Sequence, residues 1–145
     1  MDMNTKLETI MYPFLKLMYQ YQAEHKITKM CVANVNYAYT FLKPHFPNVK
    51  AVAVMCYVNG DTGSGVFIHL VLMIDTKIFD PSYELFKFDA ENIAYFNTIK
   101  MTQDFLNSNR KIQQNIANLK TNYTNFLKFV ECADLINKRR SVPSD

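Results

Sequence analysis

Two apolar segments in the middle of the chain place the strongest constraint on its fold. Val49–Val58 and Val66–Ile74 are rich in residues that favour β-strands, and a loop from Asn59 to Gly65 separates them. That loop holds all three glycines of the protein, so we expect a hairpin with a flexible tip. A third strand is predicted to begin in Lys77–Pro81, after a tight turn at Asp75-Thr76. The centre of the chain is therefore predicted to be a small antiparallel sheet.

Helical periodicity precedes this sheet. Apolar residues recur at three- and four-residue steps from about Thr5 to Glu24, and Pro13 must either kink this helix or begin a second one. A further helix is predicted from a capping Thr28 to about Lys43, with Pro44 as its stop. One face of that helix is formed by Cys31, Val35, Ala38 and Leu42.

A longer helical pattern follows the sheet, from about Asn109 to Asn137. Its apolar stripe alternates steps of four and three and consists of Ile112, Ile116, Leu119, Tyr123, Phe126 and Val130. Either the helix packs on its own domain, or residues 109–137 form a coiled coil that makes a homodimer. The whole pattern predicts an α+β fold with a small antiparallel sheet packed against an N-terminal Cys-bearing helix and long C-terminal helices.

Composition narrows the class of protein. The 145 residues suit one domain, taken as 1–140 with a flexible tail at 141–145, and 49% hydrophobic residues exclude a disordered chain. The net charge of +3 is spread along the sequence and gives no reason to expect a nucleic-acid partner. No apolar run suits a membrane span or a secretory signal, so we expect an intracellular, cytoplasmic protein whose cysteines remain thiols.

Three side chains are candidates for chemistry: Cys31, His69 and Asp80. Each also has an ordinary structural interpretation, as a small core residue, a core histidine and a turn former respectively. Cys31, however, falls in the first turn of its helix, where unpaired N–H groups and the helix dipole favour a thiolate. His69 is the only titratable residue of an apolar strand, so its burial requires a partner.

The turn at Asp75-Thr76 decides whether Asp80 can be that partner. With a two-residue turn, Leu72 pairs with Phe79, and Asp80 becomes the diagonal neighbour of His69 on one face of the sheet. Changing the turn by one residue would move Asp80 to the opposite face. The predicted register therefore groups a thiolate, an imidazole and a carboxylate, which is the arrangement that thiol catalysis uses.

This order of residues resembles the transglutaminase-like branch of the papain-like cysteine enzymes. The similarity spans Lys29 to Tyr83 and consists of a Cys on a helix, a strand carrying His, a hairpin and Asp-Pro-Ser. The resemblance implies a core of that family in which Cys31 is the nucleophile, His69 the general base and acid, and Asp80 the orienting carboxylate. It also implies an acyl-enzyme intermediate on an amide, isopeptide or thioester bond, with hydrolysis favoured over acyl transfer.

The donors to the oxyanion stay open at this point. The backbone N–H of Cys31 is one donor, and Gln20, Gln22 and Asn34 are alternatives for a second. A protein or peptide substrate is expected by analogy, and the chemistry requires no cofactor. The alternative function is a non-catalytic interaction module of the same fold, in which the C-terminal helix or a tyrosine-rich surface binds a partner.

The remaining thiols and imidazoles have structural interpretations. Cys56 lies in a strand whose alternation buries it, and Cys132 near the end of the last helix is interpreted likewise. His25 and His45 fall in polar turns and are expected at the surface. No close-spaced pair of ligands indicates a metal site.

Overall fold

The computed structural model describes residues 1–60, 63–84, 93–96, 100, 101, 104, 108 and 116–141. Its helices are α1 (Met3–Lys6), a π-helical segment (Leu7–Met11), α2 (Tyr12–Glu24), α3 (Cys31–Leu42) and α4 (Ile116–Ser141). Its strands are β1 (Lys50–Gly60), β2 (Gly63–Ile74), β3 (Lys77–Phe79) and β4 (Ile93–Phe96). This arrangement confirms the α+β prediction. Within the described residues, no helix combines the length and hydrophobicity that crossing a membrane requires.

The sheet is antiparallel, with strand order β3-β2-β1-β4. The loop predicted from Asn59 to Gly65 is too long, because Asn59 pairs with Ser64 and Gly60 with Gly63. Backbone hydrogen bonding between the strands continues through these small residues and outweighs their low strand propensity. Residues 61 and 62 of the predicted tip lie outside the described residues.

The turn between β2 and β3 has the predicted length of two residues. Ile74 pairs with Lys77 and Leu72 with Phe79. Asp75 adopts a φ of 54°, the left-handed backbone that tight hairpin turns require. The third strand begins at Lys77, within the predicted segment, and ends at Phe79, before Pro81, which has no N–H to donate to a ladder.

Strand β2 is buried on both faces, which accounts for its nearly continuous apolar sequence. Leu70, Leu72 and Ile74 on one face belong to the main hydrophobic core. On the other face His69 and Val71 are also buried. His69 therefore lies in the interior of the protein.

Pro13 lies in the first turn of α2, directly after the π-helical segment. A proline has no N–H and its ring clashes with a carbonyl of the preceding turn, and the wider π-turn relieves that conflict. The backbone stays helical from α1 through the π-helical segment into α2, so Pro13 is accommodated as the second residue of α2 and is not the first residue of a separate helix.

The helix α3 begins at Cys31, and the prediction that it begins at a capping Thr28 is wrong. Lys26 and Lys29 adopt φ values of 53° and 58°, so left-handed backbone on both sides of Thr28 prevents a helix from starting there. The predicted apolar face is otherwise correct, since Val35, Ala38 and Leu42 are fully buried.

The C-terminal helix α4 packs on its own domain through Phe126, Ala133 and Ile136, which belong to the main core. The Asn137 amide pairs with the backbone of Ala51, donating to its carbonyl at 3.0 Å and accepting from its N–H at 2.9 Å. Of the predicted stripe, Phe126 and the partly buried Val130 pack on the domain in this way, whereas Tyr123 is half exposed. Ile112, the predicted start at Asn109 and residues 142–145 lie outside the described residues. The homodimer stays a prediction.

Candidate active site

His69 and Asp80 form a buried ion pair. The Nε2 atom of His69 lies 2.8 Å from Oδ2 of Asp80, and the two residues are only 3% and 8% exposed. Asp80 follows Phe79, the last residue of β3, and the two-residue turn places it on the face of β2 that carries His69. The register derived from the sequence therefore accounts for this contact.

Cys31 reaches the same imidazole from α3, of which it is the first residue. It lies close enough to the ring for its side chain to raise the pKa of the imidazole through hydrogen bonding and charge. Because Asp80 occupies Nε2, Nδ1 is the ring nitrogen left for proton exchange with Cys31. All three residues that the sequence singled out thus meet at one site.

The His69 ring is held in its charged form. Burial lowers the pKa of this imidazole, but hydrogen bonds to Asp80 and Cys31 and the charges of both partners outweigh burial and raise it from 6.5 to about 9. A doubly protonated ring has two N–H donors, one on each side. At neutral pH the site therefore holds an imidazolium between the Asp80 carboxylate and the Cys31 sulfur.

The start of α3 provides further polarity at Cys31. The N-cap residue is Met30, whose side chain makes no capping hydrogen bond, so the first N–H groups of the helix lack the usual partner. These N–H groups form the positive end of the helix dipole, which favours negative charge on the Cys31 sulfur or on an atom bound beside it.

Two of the side chains considered as oxyanion donors are engaged elsewhere. The Nε2 atom of Gln22 donates to the Pro81 carbonyl at 2.7 Å, and its Oε1 accepts from the Tyr83 N–H at 3.0 Å and from Asn34 Nδ2 at 3.2 Å. Asn34 Nδ2 also donates to Ser82 Oγ at 3.1 Å. We refer to these hydrogen bonds as the Gln22 clamp.

The Gln22 clamp fastens the segment after Asp80 to both α2 and α3. Two further bonds secure the ends of this segment: the Ser82 N–H donates to Oδ1 of Asp80 at 2.9 Å, and the Lys29 N–H donates to the Glu84 carboxylate. The clamp thereby positions the carboxylate of Asp80 relative to the helix that carries Cys31. Sequence reasoning missed it, and the only available signal was the Asp-Pro-Ser motif.

Two tyrosine hydroxyls also donate to Asp80. Tyr19 donates to its backbone carbonyl at 2.6 Å, and Tyr95 on β4 donates to Oδ2 at 3.4 Å. Burial, followed by the charge of Asp80, raises the pKa of both hydroxyls, so they remain protonated donors. Burial and Asp80 likewise raise the pKa of the Cys56 thiol, which is fully buried as predicted.

These two distances lead to a prediction about stability. We expect Tyr19→Phe to lower the free energy of unfolding by about 1 kcal/mol, because it leaves a carbonyl without its 2.6 Å donor. Tyr95→Phe should cost less, because its bond at 3.4 Å is long and weak. Urea denaturation of the two variants and the wild type measures both effects, and a larger loss in Tyr95→Phe would contradict this assignment.

Cys31 is half buried and lies on the wall of a groove of about 520 Å³ between α3 and α4. Cys132 lines the same groove and is also half buried, so it is not the core residue that the sequence suggested. His25 and His45 are exposed, as predicted.

Within the described residues, no group of three or more His, Cys, Asp or Glu side chains is arranged to hold a metal ion. Comparison of the chain with protein-family models, curated proteins and solved structures gives no match. The candidate site is therefore defined by its own geometry.

Proposed function

We propose that the chain is a cysteine hydrolase with a transglutaminase-like or papain-like core, acting in the cytoplasm on a protein or peptide substrate. Cys31 is the nucleophile, His69 the general base and acid, and Asp80 the residue that orients the imidazole. The supporting observation is the buried His69–Asp80 pair, with Oδ2 2.8 Å from Nε2, and its proximity to Cys31, which also raises the pKa of the ring.

The reaction follows from this geometry. His69 holds the proton of Cys31 on Nδ1, and the thiolate attacks the carbonyl carbon of an amide, isopeptide or thioester bond. The N–H of Cys31 stabilises the oxyanion, and the imidazolium gives its Nδ1 proton to the leaving group as the acyl-enzyme forms. Water then loses a proton to His69 and attacks the thioester carbonyl, which releases the acid and restores the thiolate beside the protonated ring. Transfer to an amine in place of water is the variant reaction.

Each contact has a defined role in this sequence of steps. Asp80 accepts from Nε2–H throughout, which leaves Nδ1 free to exchange protons with Cys31 and the leaving group. The His69 pKa of about 9 keeps the ring charged near pH 7, so the proton needed by the leaving group is already in place.

Alkylation by iodoacetamide at pH 7 tests the proposal, with peptide mass spectrometry reporting the rate at each cysteine. We expect Cys31 to react much faster than Cys56 or Cys132, and His69→Ala to slow Cys31 by about tenfold or more, because the imidazolium no longer stabilises the thiolate. The matched control is His45→Ala, which removes an exposed imidazole. Circular dichroism checks that both variants are folded.

Slow labelling of all three thiols, insensitive to His69, would contradict the enzyme and favour a protein-interaction module. A specific observation supports that second candidate. A larger groove of about 880 Å³ between α2 and α3 is bordered by the apolar residues Leu17, Tyr37 and Phe41, which are 65%, 64% and 44% exposed. Exposed apolar surface of this kind is typical of protein-binding sites.

A further inference from the structure

The groove beside Cys31 has the size of a ligand site. It lies between the first turn of α3 and the C-terminal half of α4, and its volume of about 520 Å³ falls in the usual range for small-molecule pockets. Its walls include Lys29 and Met30 just before α3, Cys31, Val32 and Ala33 in the first turn of α3, and Leu135 of α4.

Apolar side chains border this groove in exposed positions. Leu135 is 60% exposed, Met30 50% and Val32 36%. Single exposed apolar residues are common, but several around one concave surface indicate a binding site. Binding of a ligand in the groove would therefore bury apolar surface both on the groove walls and on the ligand.

The charge of the groove restricts the ligand further. Among the described residues that line it, Lys29 is the one with a charged side chain, and none is acidic. A cationic side chain would lose its hydration in the groove without gaining a counter-charge. An anionic side chain would gain Lys29 as its single counter-charge but would lose its hydration among largely apolar residues. An uncharged apolar group fits best.

The position of Cys31 identifies the molecule that supplies this group. Cys31 is one of the residues that line the groove, so a side chain bound there lies next to the residue proposed to attack the scissile carbonyl. Met30 and Ala33 line both this groove and the larger one between α2 and α3, so apolar surface continues across the start of α3 on both sides of Cys31. An extended peptide can follow such a path.

We propose that this groove binds an uncharged aliphatic or aromatic side chain adjacent to the scissile bond, and that the enzyme selects peptides carrying one. The inference rests on the proposed function of Cys31 as nucleophile. Leu135 is then a specificity-determining residue, and α4 contributes one wall of the substrate site.

Chloromethyl ketones of single amino acids test the selectivity, because the Cys31 sulfur displaces chloride and forms a stable thioether. Rates of Cys31 labelling are measured with N-acetyl-leucyl, N-acetyl-aspartyl and N-acetyl-lysyl chloromethyl ketones, relative to iodoacetamide. The leucyl reagent is expected to react at least about tenfold faster than either charged reagent.

Substitutions on α4 locate the effect. Leu135→Asp is expected to reduce the leucyl preference about fivefold or more, because it places a charge in the groove. The matched control is Leu127→Asp, which changes an apolar residue of the same helix that is 44% exposed and lies outside the groove. The control should keep the wild-type preference.

The outcomes separate the two proposals. Charged reagents that react as fast as the leucyl one, or equal losses in Leu135→Asp and Leu127→Asp, would overturn the groove assignment while leaving the activation of Cys31 by His69 intact. Faster labelling by 1-chloro-2-undecanone than by the leucyl reagent would replace the peptide with a fatty acyl chain. If iodoacetamide labelling of Cys31 does not depend on His69, the proposed function fails, whatever the ratio among the ketones.

Discussion

The free energy of unfolding is expected to fall by about 3 kcal/mol between pH 6.5 and pH 9 through the titration of His69 alone. The folded protein holds this proton more tightly than the unfolded chain, because the imidazole pKa rises from 6.5 to about 9 on folding. The stabilisation is therefore complete below pH 6.5 and is lost as the pH rises through 9. Stability decreases with pH because the native state binds more protons in this window.

Urea denaturation at a series of pH values between 6 and 9.5 measures this effect. His69→Gln should remove the His69 contribution to the pH dependence, while His25→Gln, which replaces an exposed imidazole, should retain it. Subtracting the pH dependence of the free energy of unfolding of one variant from that of the other removes the contribution of groups that titrate equally in both. Identical slopes for wild type and His69→Gln would contradict the raised pKa.

The source of the raised pKa can be isolated within the native protein. Asp80→Asn removes the carboxylate that lies 2.8 Å from His69 Nε2, and should lower the ring pKa by at least about one unit. A proton NMR titration of the His69 ring measures this directly. If the ring pKa did not change, Cys31 rather than Asp80 would be the partner that raises it.

The part of the site that could be predicted depends on local rules. A two-residue turn at Asp75-Thr76 sets the register of β2 and β3, and strict alternation then places Asp80 on the face of His69. The placement of Cys31 at a helix start also follows from its neighbours, although the prediction missed the left-handed backbone at Lys26 and Lys29. Positive φ at lysine has no clear sequence signal.

The supporting contacts could not be predicted, because they join distant parts of the chain. Tyr95 reaches Asp80 from β4, a strand that pairs with β1 across the sheet. Gln22 lies in a helix whose apolar periodicity carries no information on which polar residue is buried. Such contacts depend on how helices dock on the sheet, and a single sequence does not specify that docking.

The Gln22 clamp is expected to be a major contribution to stability. Gln22→Leu should lower the free energy of unfolding by about 3 kcal/mol or more, because Leu fills most of the buried volume but removes the donor to the Pro81 carbonyl and the acceptor of the Tyr83 N–H bond. Asn34 loses one of its two acceptors as well. Urea denaturation measures the loss.

The matched control is Gln20→Leu, which makes the same change at an exposed position of the same helix and should alter stability by no more than about 0.5 kcal/mol. A second measurement distinguishes a positioning role from a purely structural one. Because the clamp holds Asp80 relative to α3, folded Gln22→Leu should also show a lowered His69 pKa and slower alkylation of Cys31. A variant that loses stability but keeps the wild-type ring pKa would show that the clamp stabilises the fold without positioning Asp80.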